Sequence, residues 1–243
     1  MTRLADLTTD EVRALLAHPP TAVLVPVGSV EPHGPHLPLG TDTLISETAA
    51  LRACPALAGK GVTPVVAPSV PYGVTEFAEG FAGAVSVPAA ALTAMLRAIV
   101  TSLLADGWTH VTLVNNHLEP AHDAAVRQAV EGLRASVAST LTRRWARTLT
   151  EEFKRGDCHA GRYETSLVMA AGGPVKDEHR SLPAVGVSLA QAIKGGKSRF
   201  RDIGMDRAYT GAPAEGPREE GDGTYARLVE MIVGEVTEGI ARS

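Results

Sequence analysis

Apolar and polar positions change period repeatedly along the chain, and the changes divide it into alternating strands and helices. Residues 8–17 open on Thr8-Thr9-Asp10-Glu11 and continue through Val12, Leu15 and Leu16, the spacing of a short capped helix over a sheet edge. Residues 22–28 form a β-branched apolar run bounded by turn formers, a buried strand whose pairing Pro26 leaves incomplete. A polar loop over residues 29–42 follows, and helical spacing returns over residues 43–54 with Leu44, Ile45, Ala49 and Leu51. The alternation then repeats. Strands are predicted over residues 62–70, 85–87, 110–115 and 137–141, and helices over residues 88–105, 121–135, 165–171 and 222–240. No repeat of fixed period interrupts it. Such an order predicts an α/β fold with a mainly parallel sheet covered by helices on both faces, whose ligands sit beyond the carboxyl ends of the strands.

Composition narrows this in two ways. Hydrophobic residues make up 44% of the 243, enough for a sizeable core, but aromatics are only 4%, so Ala and Val must fill it by close packing. No linker-like shift in composition appears before the Gly-rich, charged stretch after Ile193, so one domain over residues 1–243 is expected. The formal charge of −4 has its signs interspersed, which leaves no basic stripe for nucleic acid and no cationic face for a membrane. No window carries the roughly 18 apolar residues of a spanning helix, and the first residues lack a secretory pattern, so a cytoplasmic location is expected. The two cysteines, Cys54 and Cys158, lack CxxC spacing and read as free thiols.

Candidate chemistry collects in three segments. The loop Gly28-Ser-Val-Glu-Pro-His-Gly-Pro-His-Leu-Pro-Leu-Gly-Thr-Asp42 packs Glu31, His33, His36 and Asp42 at a strand end, with Pro32, Pro35 and Pro38 restricting the backbone between them. Carboxylate and imidazole together suit Zn²⁺ or Mn²⁺; the weaker alternative for the loop alone is a set of turns in which Asp42 caps the next helix. A second loop, Asn115-Asn-His-Leu-Glu-Pro-Ala-His122, leaves the end of another strand and brings His117 and Glu119 towards the first, with His122 as a supporting or surface residue. The third segment, Gly156-Asp-Cys-His-Ala-Gly-Arg-Tyr-Glu-Thr-Ser166, adds His159 and Glu164, which fit proton transfer, completion of a metal shell, or a packed helix start. Cys158, without a second cysteine, reads as a buried bystander.

Taken together, the three segments resemble the creatininase (creatinine amidohydrolase) family, whose pattern is Gly-Ser-x-Glu-x-His-Gly-x-His-x-Pro-x-x-Thr-Asp, then Asn-x-His, then His-Ala-Gly-x-x-Glu-Thr-Ser. The likeness runs over residues 25–171, with a weaker echo at Gly211-Ala-Pro213. It implies a three-layer α/β sandwich, a homo-oligomer of the hexameric kind, and two divalent ions, Zn²⁺ or Mn²⁺, bridged by Asp42. Glu31 and His117 would hold one ion, His33 and Glu119 the other. Glu119 makes creatininase the nearer model, since many relatives carry His-Gly-Gly-Asn where this chain has His-Leu-Glu-Pro. His159 matches the family's proton-transfer histidine, and Glu164 an acidic residue that lies beside the site or, in some members, ligates metal. Around Tyr72-Gly-Val-Thr-Glu-Phe-Ala-Glu-Gly-Phe81 the chain departs from the common pattern: Phe77 and Ala78 replace a Glu-His pair, and Leu118 replaces an aromatic residue. Thr75, Phe77 and Leu118 are therefore expected to line a pocket rebuilt for another, less polar substrate.

The chemistry that follows is hydrolysis of a small, non-standard or cyclic amide. Two cations sharing Asp42 would make hydroxide available between them near neutral pH and polarise the carbonyl. His159 would protonate the departing nitrogen, with Glu164 orienting it and Glu119 close by. Three other readings remain open: a peptidase for a modified peptide, as in mycofactocin-associated relatives; a metal-dependent lyase or isomerase; and a metal-binding protein without turnover.

Overall fold

The computed structural model describes residues 2–242, built around a four-stranded parallel sheet in the order β2-β1-β3-β4. The strands are β1 (Thr21–Val27), β2 (Thr63–Val66), β3 (His110–Asn115) and β4 (Ala135–Ser139). In register, Ala22 of β1 stands beside Pro64 of β2 on one side and His110 of β3 on the other. Because side chains alternate across a strand, β1 feeds two cores. Ala22 and Leu24 pack with α2 (Thr41–Ala58), α7 (Arg162–Ala170) and α9 (Arg218–Arg242) on one face; Val23, Val25 and Val27 pack with α3 (Ala89–Ala105) and α4 (Pro120–Val130) on the other. A strand covered on both faces must be apolar throughout, which is why β1 shows no polar alternation. The remaining helices are α1 (Thr9–Leu16), α5 (Arg143–Ala146), α6 (Glu151–Arg155) and α8 (Leu189–Lys194). Among the described residues no helix is long and apolar enough to cross a membrane.

The differences from the expected elements are local. Thr8 caps α1 in a reciprocal capping box with Glu11, as its spacing implies. Helix α2 begins earlier than expected, after Gly40, and continues past Cys54 through Pro55. Asp42 consequently lies inside its first turn instead of capping it, so the carboxylate is free to point elsewhere. The run over residues 62–70 is a strand only to Val66, since Pro68 has no N–H to donate; Val70 returns as a single bridge to Val27. Within residues 85–87, Val85 and Ser86 make single bridges without a ladder. Helix α4 ends at Val130 and Gly132 takes a left-handed φ of 74°, so that β4 starts at Ala135.

Two devices hold α7, which carries Glu164. The buried carboxylate of Glu152, on α6, accepts the backbone N–H groups of Arg162 (3.0 Å) and Tyr163 (2.7 Å) at the helix start and that of Ala212 (2.8 Å) from the late loop. An anion there satisfies orphan donors and meets the positive end of the helix dipole. At the crossing with α9, a Cβ on Gly221 would overlap the Ser166 carbonyl, so the absent side chain sets how closely the two helices approach.

Candidate metal centre and its cavity

Beyond the carboxyl ends of β1 and β3, the three polar segments converge. Asp42 reaches in from the first turn of α2 with one oxygen towards each of two histidines: Oδ1 lies 3.1 Å from His33 Nε2 and Oδ2 lies 3.0 Å from His117 Nδ1. Glu31 Oε1 is 3.2 Å from His117 Nδ1, and Glu164 Oε2 is 3.5 Å from His33 Nε2. All five side chains are buried. They form two sets able to hold an ion, Glu31–Asp42–His117 and His33–Asp42–Glu164, which share Asp42; a third compact group is Glu31–His33–His159.

The tautomers decide what these sets lack. His33 Nδ1 donates to the Glu31 carbonyl (3.1 Å) and His117 Nε2 donates to the Val74 carbonyl (2.7 Å). In the neutral rings, then, the nitrogens turned towards Asp42 are bare acceptors facing a carboxylate. Among the described residues His33 Nε2 and Asp42 Oδ2 have no hydrogen-bond partner. Opposed lone pairs at 3 Å need a cation between them, either a proton or a metal ion, and an oxygen-and-imidazole donor set fits Zn²⁺ or Mn²⁺. Backbone carbonyls that fix the tautomer of ligating histidines are the usual support of such sites.

Without a metal, protons fill that role. Burial opposes charge on His33, yet Asp42, Glu164 and Glu31 outweigh it and push its imidazole up to about 10. At His117 burial is likewise overcome, by Glu31 and Asp42, and its pKa rises well above the ordinary value. Burial raises Glu31 as well, but His117 more than compensates, and the carboxyl falls to about 2. At Asp42 the two histidines overcome burial and hold the group well below the usual carboxylate range. Burial lifts Glu164 to about 8 despite His33. An arriving divalent ion must displace these protons. We expect a zinc titration near neutral pH to release about three protons, one each from His33, His117 and Glu164, read calorimetrically as a heat that changes with the ionisation enthalpy of the buffer. Affinity should weaken as pH falls, because protons then compete more strongly for the same nitrogens and oxygens. A buffer-independent heat would contradict this arrangement.

Glu119 does not join the cluster. Its carboxylate accepts the backbone N–H groups of Glu76 (2.9 Å) and Phe77 (3.3 Å), and burial raises it to about 7. Glu119 lines the cavity over the cluster, and beside His33 stands Glu164, whose Oε2 also accepts the Ala160 N–H (2.6 Å). Nor does Glu164 orient His159. That ring donates from Nε2 to the Pro32 carbonyl (3.0 Å) and turns Nδ1 towards Glu31 Oε1, 3.8 Å away. Burial, reinforced by His33, lowers His159 to about 4, so it is uncharged near neutral pH. His36 is buried and bonded to Thr165 Oγ1 (2.9 Å), away from the cluster. Thr75 lies beneath the site, donating from Oγ1 to Glu31 Oε2, instead of forming a pocket wall.

Residues 73–77 thus act as a strap across the second loop: Val74 meets His117 and His122, Thr75 meets Glu31, and Glu76 and Phe77 meet Glu119.

Over the cluster opens a cavity of about 200 Å³ with Glu31, His117, His159 and Glu164 at its floor. Phe77 and Leu118 line it as expected, whereas Ala78 is buried in the small cluster behind Phe200. Phe153, Leu189, Ile193 and Phe200 complete an apolar wall that sequence reasoning missed. The signal available was the spacing Leu189, Ile193, Phe200 within a stretch dominated by charge and glycine. Phe200 packs against both Phe77 (6.0 Å between ring centres) and His159 (4.6 Å). Cys158 also lines the cavity, but burial pushes its thiol well above the ordinary value, which leaves it a neutral bystander.

A family model described as creatinine amidohydrolase matches residues 5–236. The mycofactocin precursor peptide peptidase of Mycolicibacterium smegmatis (strain ATCC 700084 / mc(2)155) is 34% identical over 215 residues, which cover 85% of this chain and 81% of that protein. The protein of the same name from Mycobacterium ulcerans (strain Agy99) is 31% identical over 225 residues, covering 88% and 84%. Among solved structures, one described as creatininase Mn matches 98% of both chains with a TM-score of 0.75 at 19% identity, a likeness of fold.

Proposed function

Because the chain belongs to the creatinine amidohydrolase family, we propose that this hydrolase binds two divalent ions, zinc or manganese, and cleaves a non-standard amide carried on a compact apolar body. The observation that carries the reading is Asp42, which turns one oxygen to each of two histidine-and-carboxylate sets at the floor of an apolar cavity. Glu31 and His117 would hold one ion, His33 and Glu164 the other. Bound there, the ions supply Lewis-acid polarisation of the amide carbonyl and acidify a water.

The protein's own groups do the rest. Phe77, Leu118, Phe153 and Phe200 exclude bulk water and hold the apolar part of the substrate, and low polarity around the floor strengthens each charge interaction there. His159 is neutral with Nδ1 bare and Nε2 committed to Pro32. It can accept a proton at Nδ1 from the attacking water and return it to the departing nitrogen, the cycle of a general base that becomes a general acid. Glu31 stands between the nitrogens of His117 and His159 and stays ionised throughout.

A second reading is cleavage of a modified peptide. It is favoured by the names of the two bacterial relatives, each matched over most of its length, and by aromatic walls suited to an apolar or aromatic side chain at the cut. A panel of cyclic amides and short peptides with apolar termini, run in H₂¹⁸O with the metal-loaded protein, distinguishes the possibilities. Hydrolysis places one ¹⁸O in the product carboxylate, and the substrate turned over identifies the class. A product formed without ¹⁸O would replace hydrolysis by lyase or isomerase chemistry.

A further inference from the structure

His122 is fully buried on the first turns of α4, belongs neither to the cavity lining nor to the ion-binding sets, and packs edge-on against the ring of His117, a member of one set, with centroids 4.6 Å apart. Its Nδ1 accepts the N–H of Val74 at 3.2 Å. Val74 is the residue whose carbonyl accepts His117 Nε2 at 2.7 Å. One backbone residue therefore links the two histidines: held by His122 at its N–H, it aims its carbonyl at His117. The next peptide is fixed from the other side, where Thr75 donates its N–H to Ser86 Oγ (3.0 Å).

Glycine at position 73 belongs to the same device. A Cβ there would stand 2.5 Å from His122 Nδ1 and 2.8 Å from the Gly28 carbonyl, so a side chain would push the imidazole off the strap. Only a bare backbone lets the ring come close enough to accept the following N–H.

We infer that His122 is a positioning residue for the metal centre: through Val74 it holds the His117 tautomer and ring orientation that present Nδ1 to the ion shared with Glu31 and Asp42. This rests on the reading of the cluster as a metal centre. A histidine that loses the acceptor of its second nitrogen can present the wrong nitrogen, and loss of such outer partners costs roughly 10- to 100-fold in metal affinity.

The test is titration of metal-stripped protein with Mn²⁺ and with Zn²⁺, following affinity and stoichiometry for wild type, His122→Asn and His122→Gln. Asparagine places its amide oxygen where Nδ1 now sits, so it can still accept from Val74; glutamine carries its oxygen one bond further out. His122→Gln should lose about 10- to 100-fold in affinity for one ion of the two, with the second little changed, and His122→Asn should recover most of that loss. Thermal melts of the stripped proteins separate a general loss of stability from this effect, because both variants are polar replacements at one buried position. If His122→Gln binds as tightly as wild type, or if both variants lose affinity equally, the positioning role is wrong. If wild type takes up neither metal, the reading of the cluster as a metal centre fails, and the role of His122 falls with it.

Discussion

Replacing Asp42 by alanine should strip the protein of both ions and of turnover. Each ion-binding set would then keep one histidine and one glutamate, Glu31–His117 and His33–Glu164, too few donors to hold a divalent cation tightly. The charge stabilisation that bound cations supply is worth several kcal/mol, so the loss in kcat/KM should be about 10³- to 10⁵-fold. Elemental analysis of wild type and Asp42→Ala prepared side by side, with circular dichroism to establish folding, reads the outcome. Asp42→Asn keeps the shape while turning an amide nitrogen towards one of the two sets, and it too should fail to hold the pair. Two equivalents of metal retained in Asp42→Ala would show that the carboxylate is not shared between the ions.

His159→Ala should do the opposite to metal and nearly the same to turnover. Its Nδ1 lies 3.8 Å from Glu31 and its ring forms part of the cavity wall, so the ions should remain while proton transfer is lost, at a cost of about 10²- to 10⁴-fold in kcat. His159→Gln sharpens the comparison: a glutamine amide can still donate to the Pro32 carbonyl and fill the space, but it cannot carry a proton. Both variants should be inactive and normally metallated. Wild-type rates in either would remove His159 from the chemistry. Loss of one ion would instead make it a ligand with Glu31 and His33, the third compact group of donors.

Much of this was legible in the chain because the relevant information is local. Strand ends followed by loops dense in His and Glu placed Glu31, His33, Asp42 and His117 at the carboxyl edge of a parallel sheet, and the apolar character of residues 22–27 followed from burial on both faces. What could not be read depends on turns whose direction the spacing leaves open. Glu119 stands two residues after His117 and reads as the partner of His33 on the other ion, whereas its backbone is extended (φ −71°, ψ 128°) just before α4 and its carboxylate bonds the strap. Glu164, the ninth residue of the third segment, comes back to the cluster because Glu152 and the close α7–α9 crossing fix the start of its helix. The wall formed by Leu189, Ile193 and Phe200 was hidden for another reason. Its apolar residues are too sparse to show a period, and they find the cavity only through long-range contacts, among them the Phe200 N–H bond to the Phe77 carbonyl (2.9 Å).

The strap over residues 73–77 joins things that a designer would keep apart. Val74 steadies a metal-facing histidine, Thr75 bonds a second candidate ligand, and three residues along the same backbone Phe77 forms the cavity wall. A mutation that reshapes the wall to admit a new substrate pulls on the peptide groups that tune the metal shell. On the proposed metal centre, changes at position 77 should therefore alter metal affinity as well as substrate preference. Efforts to retarget the cavity should accordingly vary Leu189 and Ile193 first, whose side chains line the same space from a segment outside both the strap and the second loop.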